Sequence, residues 1–192
     1  VDVPAQFPDL IARIRAGDEA AARELVRCYE PEIRRAVRVR LTDPNLRRIV
    51  DSVDICQSVF GEFFVRVAAG QFELADPTRL VRLLVRMSRN KIIDYAKRPE
   101  NRDTRTPGEG VLDGAMASGG TPSNFASVAE LLASAKQRMS PEEWEVAEKR
   151  AAGVGWQEIA ASLGTTAEAA RKRHNRTVNR VCVEIGLSGE DA

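Results

Sequence analysis

Histidine is almost missing from this chain, with His174 the single one among 192 residues. Cysteine is scarce too: Cys28, Cys56 and Cys182 are far apart, odd in number and form no CxxC pair. A zinc site needs several Cys or His ligands at close spacing, and a disulfide framework needs a clustered, even set, so neither is supported. No cofactor or metal is therefore expected, and the thiols point to a reducing compartment, the cytoplasm. Aromatic residues make up only 5% of the chain, which leaves Leu, Val, Ile and Ala to build the cores. No apolar run is long enough to cross a membrane and no secretory signal opens the sequence, so membrane insertion is not expected. Val1 in place of a start Met points to a processed or truncated N-terminus. An excess of one charge is missing as well: 29 Lys and Arg face 28 Asp and Glu, for a net charge of +1. A protein that binds DNA unaided carries a larger basic excess, so any nucleic-acid contact must come from local patches or with the help of a partner. Strand alternation and internal repeats are also absent.

What the chain does have is helical periodicity. Residues 7–16 (FPDLIARIRA) place Phe7, Leu10, Ile11 and Ile14 on one face, and Gly17-Asp18 ends that helix. Residues 19–41 continue the pattern through Ala22, Leu25, Val26, Tyr29, Ile33, Ala36, Val37 and Leu41. Pro31 inside this stretch predicts a kink or a restart near Glu30. After a turn at 42–46, residues 51–69 carry Ile55, Val59, Phe63 and Val67 four apart, with Phe60 and Phe64 beside them. Asp51, Asp54, Gln57, Ser58 and Glu62 are expected on the remaining surface. Residues 70–77 read as a loop with Phe72 and Leu74 as anchors. Residues 78–97 form a helix with Leu80, Leu83, Leu84, Met87 and Ile92 inward, and Arg79, Arg82, Arg86, Arg89, Lys91 and Lys97 outward.

Residues 99–124 lose periodicity and gather Gly, Pro and Ser, the composition of a flexible linker. Helical pattern resumes over 125–139, and Ser140-Pro141-Glu142-Glu143 is a strong helix start with capping-box spacing. The expected fold class is all-α: two small helical domains, 1–98 and 125–192, joined by the linker 99–124, the second ending in a helix-turn-helix.

That hairpin is the most informative stretch, WQEIAASLGTTAEAARKRHNRTVNRVCV at 156–183. Trp156, Ile159, Ala160 and Leu163 form one apolar face, and Gly164 suits a helix C-terminus. Either Thr165 or Thr166 can cap the next helix, and Thr165 with Glu168 has capping-box spacing. The second helix places Ala170, His174, Thr177 and Val181 inward. Arg171, Lys172, Arg173, Asn175, Arg176 and Arg180 occupy its other faces, five basic residues against the single Glu168 between Ala167 and Arg180. Such a helix suits a major groove; the competing reading is an ordinary hairpin with a solvated basic face. His174, in phase with the apolar face, reads as a packing residue.

Taken in order, these stretches resemble an extracytoplasmic-function (group 4) sigma factor of the sigma-70 family, the promoter-recognition subunit of bacterial RNA polymerase. LIARIRAGDEAAARELVRCYEPEIRRAV resembles the start of region 2, and DSVDICQSVFGEFF the segment that docks on the polymerase. MSRNKIIDYAKR resembles the helix around the promoter-melting surface, and SPEEWEVAEKRAAGVGWQEIAASLGTTAEAARKRHNRTVNRV resembles region 4. The resemblance implies core RNA polymerase as partner, through the clamp helices of the largest subunit and the flap of the second-largest, together with promoter DNA and an anti-sigma factor or other inhibitor. It assigns polymerase docking to Asp51, Asp54, Gln57 and Ser58. It assigns the minus-ten element to Gln71, Phe72, Asp76, Arg82, Arg86, Arg89 and Asn90, with the loop at 70–77 as the pocket for a flipped base. It assigns the minus-thirty-five element to Thr166, Glu168, Ala169, Arg171, Lys172, Arg173, Asn175 and Arg176. The implied function is promoter recognition, promoter melting and transcription initiation. Val53 and Ser58 stand where the family often has acids, so a less acidic docking face is expected. His174 and Ala170 replace the usual Leu and Val, so a looser hairpin core is expected.

The alternative is a helix-turn-helix transcriptional regulator acting without being a polymerase subunit, against which the stretch 51–98 argues. An enzyme acting on DNA needs a nucleophile with helpers or clustered carboxylates for metal ions. One His, scattered Ser and no acidic cluster leave no basis for one.

Overall fold

The computed structural model describes residues 7–40, 52–74, 76–97 and 127–187. Every regular element among them is an α-helix: α1 (Phe7–Arg15), α2 (Glu19–Arg40), α3 (Ser52–Ala68), α4 (Pro77–Lys97), α5 (Val128–Gln137), α6 (Pro141–Ala151), α7 (Trp156–Ser162) and α8 (Ala167–Glu184). The expected linker 99–124 and turn 42–46 lie outside the described residues.

Asp18 starts α2, its Oδ1 accepting from the amides of Ala20 (2.8 Å) and Ala21 (3.2 Å) while Oδ2 accepts from Arg13 Nε at 2.7 Å. The expected restart at Pro31 does not occur, since α2 is one 22-residue helix through it. Pro31 is exposed, so its ring faces solvent. Tyr29 and Ile33, both buried, hold the helix on either side of the hydrogen bond that proline removes.

The core is organised around α3. Its stripe of Ile55, Val59, Phe63 and Val67 is fully buried among α1, α2 and α4. Truncating Phe63 to Ala would cost about 3–5 kcal/mol in transfer and cavity terms. The other side of α3 packs against α5, α6 and α8 of the second module. One apolar cluster therefore runs from Phe7 and Leu25 through Phe60 and Phe64 to Leu131, Ala135, Val178, Val181 and Leu187. This second contact corrects the expected surface of α3: Ser58 is 3% exposed and Glu62 8%. With that side covered, the solvated part of α3 narrows to Gln57 and the half-buried Asp54, and none is left for Ser58 and Glu62.

In the second module Ser140 and Glu143 form the full capping box of α6, the Glu143 amide donating to Ser140 Oγ (3.2 Å) and the Ser140 amide to Glu143 Oε2 (2.9 Å). Between α7 and α8 the chain turns at Gly164, whose φ of 62° is open to glycine at little cost. Thr166 caps α8, accepting from the Ala169 amide at 3.2 Å. The Thr165–Glu168 capping box is not used, because α8 begins one residue later than that pairing requires. Past α8, Leu187 folds back into the core, and its carbonyl accepts from Ser58 Oγ at 3.4 Å.

Candidate nucleic-acid interface

Helix α4 presents a row of cations. Arg82, Arg86 and Arg89, spaced by four and three, are exposed on one face with Asn90. None of the three arginines makes an ion pair among the described residues. Lys91, expected in the same row, is instead buried at 5% exposure with Nζ 3.3 Å from Glu62 Oε2. Desolvation pushes its pKa down, against the pull of Glu62. The Lys91 position turns inward because it follows Met87 by one helical turn on the core side. At the start of α4, Asp76 acts as a cap: its Oδ1 accepts from the Arg79 amide at 2.9 Å, and Arg79 Nε lies 3.4 Å from Oδ2.

Beside this row lies a cleft of about 400 Å³ that joins Phe72, Arg86 and Asn90 to Glu62, Arg66, Lys91, Asp94 and Asn179. Three of the residues assigned to one DNA element thus share one cavity. Arg66 is its hub. Its guanidinium holds Glu62 at 2.7 Å and donates through Nη1 to Gln71 Oε1 and Asn179 Oδ1, both at 2.8 Å. A buried cation with three fixed acceptors orients the loop and α8 together; as a net stabiliser such a network is worth little.

Helix α8 carries the second basic face. Arg171, Lys172, Arg173 and Arg176 are exposed, as are Glu168, Ala169 and the capping Thr166. Most of this charge is tied up locally. Glu168 lies 3.1 Å from Arg171 and 3.4 Å from Lys172, and its pKa is held low by the Arg171 hydrogen bond first. Arg173 reaches Glu142 at 3.3 Å, and Arg180 holds both Glu143 and Glu184. Of the five basic residues on α8, Arg176 alone makes no ion pair among the described residues. Asn175 is half-buried and accepts from Gln71 Nε2 at 3.2 Å. His174 is buried against the Trp156 ring, centroids 5.4 Å apart, with its Nε2 unpartnered. Desolvation lowers its pKa to about 4; a hydrogen bond to the Ala69 backbone pulls the other way, and the Arg150 charge lowers it further.

A family model described as ECF sigma factor matches residues 4–182. The chain belongs to the ECF sigma factor family. No curated protein and no solved structure matches it at a significant level. Members of this family are non-enzymatic transcription factors that bind core RNA polymerase and promoter DNA. In this sigma factor the residues assigned to polymerase docking are distributed unevenly. Gln57 is exposed and Asp54 half-buried on α3, Ser58 is covered by Leu187, and Asp51 lies outside the described residues. No helix among the described residues is long and apolar enough to cross a membrane.

Sequence reasoning missed the inward charges of this sigma factor, Glu62, Arg66, Lys91 and Arg150. One signal was available for the first two. Glu62 and Arg66 are an i, i+4 pair of opposite charge set in an otherwise apolar helix. For Lys91 the signal was its phase, one turn after Met87 and two after Leu84 on the core side.

Proposed function

We propose that this sigma factor docks on the clamp helices of the largest polymerase subunit through Asp51, Asp54 and Gln57, and meets the flap of the second-largest subunit through its second module. With core enzyme it recognises promoters, melts them and starts transcription in the cytoplasm. Arg82, Arg86 and Arg89 hold phosphates of the minus-ten region, and Asn90, Phe72 and Gln71 receive an unstacked base by stacking and edge hydrogen bonds. Asp76 sets the start of α4, which positions that row. Helix α8, opened by the Thr166 cap and with Ala169 small enough for close approach, reads the minus-thirty-five element. Arg176 and Lys172 face base edges, Glu168 and Asn175 shape the same surface, and Arg171 and Arg173 hold phosphates.

The observation that supports this reading best is the exposed, acid-free row Arg82, Arg86, Arg89 and Asn90 beside the cleft that holds Phe72. Binding to a labelled promoter is measured with and without core polymerase, followed by transcription. Specific binding and initiation are expected only with core. Asp54→Ala with Gln57→Ala is expected to weaken association with core while leaving helix content unchanged. Tight sequence-specific binding by the chain alone would point instead to a regulator that is not a polymerase subunit.

A further inference from the structure

Arg66 was given no role in DNA recognition, yet it lines the same cleft as Phe72 and Asn90. It is 8% exposed and fixed on one side. Its Nε and Nη2 both reach Glu62 Oε1, at 2.8 and 2.7 Å. The other oxygen of that carboxylate lies 3.3 Å from Lys91 Nζ, so the acid that orients Arg66 is itself held from two helices. Only Nη1 remains for the cleft.

A guanidinium donates and never accepts, so it settles which end of a neighbouring amide faces it. Gln71 Oε1 accepts from Arg66 Nη1 at 2.8 Å, which leaves Gln71 Nε2 as a donor on the far side. The backbone keeps the two together. Gly70, at φ 67°, ends α3, its amide donating to the Val67 carbonyl at 3.0 Å and the Gln71 amide to the Arg66 carbonyl at 2.9 Å. A Cβ at Gly70 would also collide with the Ala151 nitrogen and the Arg150 carbonyl carbon of α6. Arg15 Nη2 donates to the Phe72 carbonyl at 3.1 Å and steadies the loop beyond. Arg66, Glu62, Lys91, Gln71 and Arg15 all belong to the first module, so this donor pair does not depend on where α8 sits.

The atoms that now satisfy the pair show what it takes. Arg66 Nη1 donates to Asn179 Oδ1 at 2.8 Å, and Gln71 Nε2 to Asn175 Oδ1 at 3.2 Å. Both partners are acceptors. With α8 on the upstream element, the same two donors meet the unstacked base. Two neighbouring acceptors on one edge occur on guanine, at O6 and N7, and on cytosine, at O2 and N3. Adenine sets its N6 amino group beside each such acceptor, and thymine sets N3–H beside its carbonyls. A buried donor that meets another donor goes unsatisfied, which penalises those two bases.

We propose that Arg66, with the Gln71 amide whose orientation it fixes, is a specificity-determining residue that selects guanine or cytosine at the unstacked position of the minus-ten element. This deepens the promoter reading above and rests on it.

The test is transcription by core polymerase carrying the full chain, from a promoter library randomised across both elements. One minus-ten position is expected to favour guanine and cytosine over adenine and thymine by roughly tenfold. Arg66→Met removes the donor and leaves Glu62 paired with Lys91. It should flatten the preference at that position and keep the preferences at the upstream element. Gln71→Glu is nearly isosteric and turns the outer donor into an acceptor. Every base has an acceptor beside a donor on some edge, so adenine and thymine should rise to parity. If Arg66→Met loses helix content, Gln71→Glu carries the comparison alone. A wild type without a guanine and cytosine preference at any minus-ten position overturns the assignment and leaves the promoter reading standing. So does such a preference that survives in the folded variants. No transcription from any member of the library overturns the promoter reading itself, and the assignment with it.

Discussion

Helices α4 and α8 both carry a row of arginines, but they hold their charge differently. On α4, Arg82, Arg86 and Arg89 are exposed without an acid partner among the described residues. On α8, Glu168, Glu142, Glu143 and Glu184 tie down Arg171, Lys172, Arg173 and Arg180, leaving Arg176. Their buried faces differ too. Under α4 lies Lys91, matched by Glu62; under α8 lies His174, without a counter-charge. By count of basic residues the two are close, six on α4 against five on α8; the pairing is what leaves α4 with clearly more charge available to DNA. Exposed ion pairs are worth only a fraction of a kcal/mol each, so phosphates can still exchange with them.

The strongest way to break this contrast is to remove the α4 row. Arg82→Ala/Arg86→Ala/Arg89→Ala is expected to abolish most promoter opening. It should also reduce the slope of log affinity against log salt by about 0.7–0.9 per lost phosphate contact. Transcription and a salt titration check both, and an unchanged slope would remove the row from the interface.

The buried faces are compared by pH. His174 has a folded pKa of about 4 against an ordinary value of 6.5. Between these values the unfolded chain binds the extra proton and the folded chain does not, so stability rises with pH across this window. Acidification from pH 7 therefore destabilises progressively as pH falls below about 6.5 and levels off below about 4. The total effect is on the order of 3 kcal/mol. His174→Leu is expected to remove that part of the pH dependence, seen as the difference between variant and wild-type denaturant curves at pH 7 and pH 4.5.

Next in size is the split within α8. Arg176→Ala should relax preference at one position of the upstream element by about 1–3 kcal/mol, while Arg171→Ala should weaken all sequences alike. A randomised upstream-element library transcribed with each variant separates the two. One common factor for Arg176→Ala would make it a phosphate clamp.

The smallest expected effect sharpens the contrast from the other side. Glu168→Gln frees Arg171 and Lys172 and should raise duplex affinity by less than about 1 kcal/mol, most visibly at low salt. No gain would show that this pair does not compete with phosphate.

How far the sequence carried depended on whether a residue's environment was local. Apolar spacing placed the first four helices within a residue and α5 within three, and Ser140 with Glu143 foretold its capping box, since such signals act within one or two turns. His174 could be placed on a packed face from its phase alone. The row Arg82, Arg86 and Arg89 followed from spacing against Leu80, Leu83, Leu84 and Met87, and the stretches quoted above were enough to identify the ECF sigma factor family.

Only the tertiary structure decided which charges go inside and which faces meet. Glu62 and Ser58 lie on the outer side of α3 as far as its own periodicity can tell. They are buried because α5, α6, α8 and Leu187 cover that side. Helical phase puts Lys91 on the Met87 side and Arg89 on the Arg86 side, but only the fold supplies Glu62 as the partner that Lys91 meets there. Gly70 reads as an ordinary loop glycine until α6 is seen against it. Gln71 and Asn175 are 104 residues apart, and nothing local couples them. Helical phase records which residues of one helix share a face, but the partner covering each face is set by contacts between segments distant in the chain.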